Sequence, residues 1–254
     1  MWTRAELKTA AKEVLSANYW MSVVVSFILA VAIGAGNVGF RGGLPMTGPS
    51  SEMASGSGGD IDMALLFIII ATVMLFAIMG MIIGMVFNAF VFMPIQVGCR
   101  RFFISCRDGR GIVDMVIFAF KEGKDAYLNI VKTMFLKQLK IVLWTLLFII
   151  PGIIKAYEYY MIPYILADDP NTDSETAFEM SREMTDGEKM NIFVLELSFI
   201  GWHILNIFTL GLLGLFYVKP YVNLTFAELY HTLRAEYDQR NGGYNETAVS
   251  AETL

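Results

Sequence analysis

Residues 63 to 93 form an almost unbroken apolar run, and nothing else in the chain limits its fold so tightly. As one helix the run would measure about 46 Å at 1.5 Å per residue, longer than the roughly 30 Å hydrocarbon core of a bilayer. It therefore has to tilt, kink or protrude. Composition agrees with a bilayer as solvent: of 254 residues, 56% are hydrophobic and only 17% charged, whereas soluble domains carry about 25% charge. A net charge of -5 excludes a general nucleic-acid binder, because neutralising phosphates needs a basic surface.

Apolar periodicity and turn signals around that run predict an all-α, polytopic membrane bundle. About six transmembrane helices pair into three helical hairpins within one integral membrane domain, 1–237. Residues 1–18 read as an amphipathic interfacial helix, with Thr3 and Glu6 at capping-box spacing and Trp2 and Leu7 as a hydrophobic staple. Leu7, Ala10, Ala11, Val14 and Leu15 share one face. Arg4, Lys8 and Lys12 line another and suit lipid phosphates, although the same face would equally pack on the protein's own cytoplasmic side. The first span runs from Tyr19 to Gly36 and reads as uncleaved. Gly, Ser and Pro dominate an external loop, 37–62, before the second span, 63–93.

A basic cytoplasmic segment, 98–128, follows, with Arg100 and Arg101 placed to meet headgroups and a short interfacial piece over 112–120. The third span is predicted over 129–150, turning at Pro151-Gly152 into a shorter fourth over 153–167. A polar linker helix, 168–189, offers Thr172 and Glu175 as a second capping box. Span five, 191–208, turns near Gly211 into span six, 212–233, and 238–254 reads as a disordered cytoplasmic tail. The long external loop holds only Arg41 of the 19 Lys and Arg, so positive-inside counting puts both termini in the cytoplasm. Cys99 and Cys106 lack the further ligands a zinc site needs and read as reduced thiols.

Pro94, Pro163 and Pro220 fall one in each returning helix, two of them before a tyrosine, which suggests three related hairpins. Each proline frees a carbonyl one turn earlier, near Phe90, Tyr159 and Phe216. In lipid such a carbonyl needs a partner, so the three kinked helices could surround a small polar site. Improved packing alone would explain the kinks as well.

Ionisable groups within spans are costly and mark functional candidates: Lys155, Glu158, Glu196, Lys219 and Glu228, with His203 the one imidazole there. Glu196 and Glu228 can share a depth near the inner ends of spans five and six, where paired carboxylates would make a proton or cation site. Lys155 and Glu158 are three apart and can pair along one helix face. Against a functional role, Lys155 and Lys219 can snorkel outward and Glu228 can reach the inner interface. Asn88, Asn206 and Asn223 suit interhelical hydrogen bonds, and Gly80 and Gly84 form a G-x-x-x-G packing pattern. No phosphate loop, metalloprotease helix or nucleophile elbow occurs, and no catalytic residue, metal ligand or cofactor site is assigned.

The stretch LLFIIPGIIKAYEYYMIPYILADDP, 146–170, the later LSFIGWHIL, 197–205, the FTLG turn, 208–211, and Pro220-Tyr221 resemble a bacterial integral membrane family known as domain of unknown function 975. Arg4, Leu7-Lys8, Ala11-Lys12 and Tyr19-Trp20 fit the same pattern, so the likeness extends to about Tyr237. The family is distantly similar to the membrane domain of some glycerophosphodiester phosphodiesterases, whose catalytic domain this chain does not contain. The resemblance implies a multi-pass protein of the bacterial cytoplasmic membrane with no assigned activity. Glu158 stands where a small polar residue is usual, which argues against a catalytic role for it. The leading expectation is a non-enzymatic bundle that binds membrane lipids, or a membrane protein or second copy, through its basic inner face. The alternative is a small proton- or ion-coupled transporter or exporter working through Glu196 and Glu228. A membrane-embedded hydrolase is a remote third reading, since no nucleophile and base pair stand out.

Overall fold

A computed structural model describes residues 2–38 and 63–252, and among these residues every regular element is helical. Nearly all of the expected external loop, 37–62, and residues 253 and 254 lie outside the described residues. Helix α1 spans Arg4–Ala17 and begins on the expected capping box: Glu6 N–H donates to Thr3 Oγ1, and Thr3 N–H donates to Glu6 Oε2 at 3.1 Å. It meets α2, Tyr19–Val38, at a bend of 107°. Its apolar face, Leu7, Ala11 and Leu15, is buried.

The long apolar run becomes α3, Met63–Phe87, a π-helical turn, Asn88–Phe92, and α4, Met93–Cys106, continuous in direction. After a 3-10 turn at Val113–Ile117 and the short α5, Phe118–Lys121, comes α6, Lys124–Leu147. Helices α7, Ile149–Glu158, and α8, Ile162–Asp168, bring the chain back. The linker helix α9, Ser174–Met184, leads to α10, Lys189–Leu197, and α11, Ile200–Phe208. A second π-helical turn, Gly214–Val218, opens α12, Lys219–Glu252.

Among the described residues two helices are long and apolar enough to cross a membrane, Leu66–Cys106 and Lys189–Phe208, and the bent pair Arg4–Ala17 and Tyr19–Ile33 adds a third if it counts as one broken span. The six expected spans are therefore not all matched by long apolar helices. Helix α6 is long enough but carries Lys132, Lys137 and Lys140 along its middle. Helices α7 and α8 have 10 and 7 residues because the backbone turns between them, so neither crosses alone.

Several boundaries also move. The hairpin of spans three and four reverses at Phe148, where the backbone is extended, and Pro151 sits inside the opening turn of α7, where its missing N–H costs nothing. Gly152 then lies against α6: a Cβ there would be 2.3 Å from Thr145 Oγ1 and 2.7 Å from its Cα. The hairpin of spans five and six turns through Leu210 and Gly211, both with positive φ, as expected for the FTLG turn. Helix α9 is capped by Asp173, which accepts from Glu175 N–H at 3.0 Å and Thr176 N–H at 3.3 Å, in place of the expected Thr172 box. The helical backbone of α12 runs on to Glu252, through most of the stretch expected to be a disordered tail.

Burial divides each hairpin along its length. The reversing ends are open, with Leu146, Phe208 and Leu210 exposed by 84, 80 and 94%. The opposite ends carry the core: Phe102 and Phe103 of α4, Tyr164, Ile165 and Leu166 of α8, and Phe226, Leu229 and Tyr230 of α12. Apolar surface left open at one end and polar, packed structure at the other is what a bilayer boundary requires.

Candidate functional site

The three proline-bearing helices come together. Tyr160 packs on Phe226 and Tyr164 on Tyr230, while Arg100 reaches Asn223, Arg107 reaches Glu228 and His231 meets the Ile104 carbonyl. Tyr160–Phe226 and Tyr164–Tyr230 advance together, as do Arg100–Asn223 and Arg107–Glu228, so α4, α8 and α12 run in the same direction. Pro94 and Pro220 occupy equivalent places: each lies in the first turn of its helix, directly behind a five-residue π-helical turn. In that turn the N–H of Met93 bonds Asn88 O and the N–H of Lys219 bonds Gly214 O. The wider turn takes up the steric demand of the proline ring without a sharp kink. Pro163 likewise opens α8, behind the backbone turn at 159–161. Of the carbonyls expected to be freed, Phe90 O accepts from the Tyr127 hydroxyl of α6.

At the centre of the junction stands Arg100. Its guanidinium donates to Tyr164 Oη at 2.8 Å and to Asn223 Oδ1 at 3.2 Å, and it lies 4.9 Å from the Tyr164 ring centroid. One residue from each returning helix thus meets at a single point. Asn223 passes the chain on to α2 by donating to Ser26 Oγ at 3.2 Å. Both acceptors of Arg100 are neutral, and no carboxylate lies within ion-pair distance of it among the described residues. The half-buried cation therefore has no carboxylate partner among the described residues. Arg100 and Arg101, expected to meet headgroups, are half-buried and both hold hydrogen-bond partners within the protein. Arg101 donates to the carbonyls of Ala167 and Asp168 at 2.6 and 3.3 Å, closing the C-terminus of α8, and stacks 4.5 Å from the Phe118 ring centroid.

The basic face of α1 is also partly engaged. Lys8 Nζ lies 4.3 Å from the Phe199 ring centroid and Lys12 Nζ 5.8 Å from that of Tyr221, while Arg4 is exposed. Partial burial, with Arg4 and Lys12 close by, lowers the Lys8 ammonium below its ordinary pKa.

Glu196 and Glu228 do not face each other. Glu196 accepts from Tyr157 Oη at 2.6 Å, whereas the buried Glu228 pairs with Arg107 Nη1 at 3.4 Å. The expected shared carboxylate site is therefore absent: α10 sits against α7, and the inward face of α12 points to α4. His203 and Lys219 are exposed and join neither group.

Lys155 and Glu158 do pair, at 2.7 Å, inside a larger cluster. The Glu158 carboxylate, 5% exposed, also meets Arg182 Nε at 3.2 Å and Lys189 Nζ at 3.3 Å. Its backbone carbonyl accepts from Ser181 Oγ at 2.7 Å, so the residue ties α7 to α9 and α10. A spacing of three residues brings Lys155 and Glu158 together, whereas Arg182 and Lys189 arrive only through the return of the linker helix. The joint role of Tyr164 and Asn223 has no local signal either. They stand one and three residues after their prolines, and Arg100 six after its own, so no shared spacing marks them.

These features define an all-helical protein whose long apolar helices suit a bilayer and whose polar residues gather where the returning helices converge. The chain belongs to the family described as protein of unknown function (DUF975), which it matches over residues 64–237. No curated protein matches it, and no solved structure does.

Proposed function

We propose that this protein is a non-enzymatic integral membrane bundle of the bacterial cytoplasmic membrane, built as three hairpins with both termini cytoplasmic, and that it binds anionic lipid. The carrying observation is Arg100, a cation held among three converging helices with neutral partners only. An uncompensated charge in such a setting is costly, and an anionic group supplied by a ligand would relieve it. The open apolar ends of the hairpins support the same reading, since α6 and α7 present Leu146, Phe148 and Ile150 outward and the lipid tails would cover them. The transporter alternative loses the carboxylate pair that motivated it. A membrane protein partner or a second copy would find its surface on α3, where a Cβ added at Gly80 or Gly84 would meet nothing within 4 Å.

The test is extraction of the full-length protein into native nanodiscs followed by lipid mass analysis. Anionic lipid should be enriched around the protein relative to the bulk membrane, and Arg100→Gln should reduce that enrichment. A retained lipid composition equal to the bulk membrane would sink the proposal.

A further inference from the structure

The cluster around Glu158 opens into a cavity of about 520 Å³ between α7, α9, α10 and α12. Its walls hold four cations, Lys155, Arg182, Lys189 and Arg240, against three carboxylates, Glu158, Glu183 and Asp186. Cavities of this size hold small ligands. We propose that it is a binding site for a phosphate group, and that Glu158 is its internal counter-ion.

The geometry favours an anion. Three cations converge on the Glu158 carboxylate at 2.7, 3.2 and 3.3 Å, which leaves an excess of two positive charges at its head. A metal ion or proton would meet those cations before it met the carboxylate. Arg182 binds Glu158 through Nε and also interacts with Tyr159, and a guanidinium carries donors beyond these to turn toward a phosphate. Its side chain is 62% exposed, open to an incoming ligand, while those of Lys155 and Lys189 are 23 and 29% exposed and held in place. Arg240 is anchored from the other wall by its Nη2 donating to the Glu183 carbonyl at 3.3 Å. Asn241 occupies Glu183, donating to its carboxylate at 3.5 Å, which turns part of the opposing charge away.

The location suggests where the phosphate comes from. Lys155 is the first charged residue after the open apolar hairpin end, and its Nζ lies 5.7 Å from the ring centroid of Trp144, on the opposite leg. Ile153 and Ile154, directly before it, are about half exposed. A lipid whose tails lie along α7 would therefore bring its headgroup to the cavity mouth. This deepens the lipid-binding reading and rests on it for the source of the ligand, while the phosphate chemistry of the cavity stands alone.

Calorimetric titration of the full-length protein in nanodiscs of neutral phosphatidylcholine tests the site, with inorganic phosphate as one probe and phosphatidic acid built into the nanodisc as the other. Saturable binding of either probe is expected. Arg182→Gln should weaken it about tenfold, the value of one charge-assisted hydrogen bond, and Arg240→Gln, which leaves Glu158 and its partners intact, should weaken it as well. Glu158→Gln should tighten it, a gain that a purely structural ion cluster would not give. Binding of phosphatidic acid but not phosphate identifies a headgroup site, and the reverse identifies a soluble anion; both support the cavity. Failure of both probes, or affinities unchanged in Arg182→Gln and Arg240→Gln, overturns it. The lipid enrichment of native nanodiscs is read separately, so loss of that result with phosphate still bound would refute only the lipid source.

Discussion

Gly98→Ala should destabilise the protein although alanine is the better helix former. Gly98 lies in the middle of α4, where its Cα meets the 3-10 turn at Val113–Ile117. A Cβ added there would stand 2.0 Å from the Val116 carbonyl oxygen, 2.6 Å from its carbon and 2.9 Å from Met115 O. Ordinary contacts between such atoms are about 3.5 Å, so the turn would have to retreat by more than 1 Å, roughly the difference between those values. Both neighbours are backbone and cannot rotate away. Moving them would disturb Phe118, on which Arg101 stacks. Alanine gains about 1 kcal/mol in helix propensity, while overpacking costs about 1–3 kcal/mol and at times more. With backbone on every side the upper end applies, and the net loss is about 2 kcal/mol. For a chain of this size that lowers the melting temperature by about 4–8 °C. Gly80→Ala and Gly84→Ala have no neighbour within 4 Å and should melt at or above the parent. Scanning fluorimetry of the full-length proteins in one detergent compares the three. A Gly98→Ala protein as stable as the other two would refute the close approach of α4 to the 3-10 turn.

Gly152→Val should open the hairpin between α6 and α7, because its side chain would enter Thr145; faster proteolysis near Phe148 is the readout, and unchanged digestion counts against the packing. Asn223→Ala and Tyr164→Phe each remove one acceptor of Arg100 and should cost about 1–3 kcal/mol in urea unfolding, and a double variant that costs no more than either single would confirm that they act through the same guanidinium. Hydrogen bonds from Thr176 and from the α9 backbone hold the Asp173 carboxyl below its ordinary pKa. Its contribution is therefore present above the ordinary carboxylate range and lost as pH falls through the lowered value. Asp173→Ala should lower the melting temperature at pH 7 and flatten the acid limb of the stability curve; parallel acid limbs would count against this cap.

The features legible in the sequence share one property: they depend on neighbours along the chain. The Thr3 and Glu6 capping box, the Gly211 turn, the Lys155 and Glu158 pair and the special status of Pro94, Pro163 and Pro220 all follow from spacings of a few residues. The second hairpin turns at Phe148, three residues before the Pro151 that the sequence offers for it, because proline is tolerated in a first helical turn as well as between helices. Glu196 and Glu228 share a depth by sequence. Depth says nothing about rotation, and their helices point them to Tyr157 and Arg107.

The sequence by itself determined the helical class, the apolar runs long enough to cross a bilayer and the turn at Gly211, because hydropathy and turn chemistry are local and additive. Only the tertiary structure decided which charges meet. Arg100, Tyr164 and Asn223 lie 64 and 123 residues apart from the arginine outward, and Glu158 gathers Arg182 and Lys189 from 24 and 31 residues away. A helix can turn any face inward, so such meetings depend on how each one is rotated against its neighbours. That rotation is set by packing of the whole bundle, which no single stretch of sequence contains.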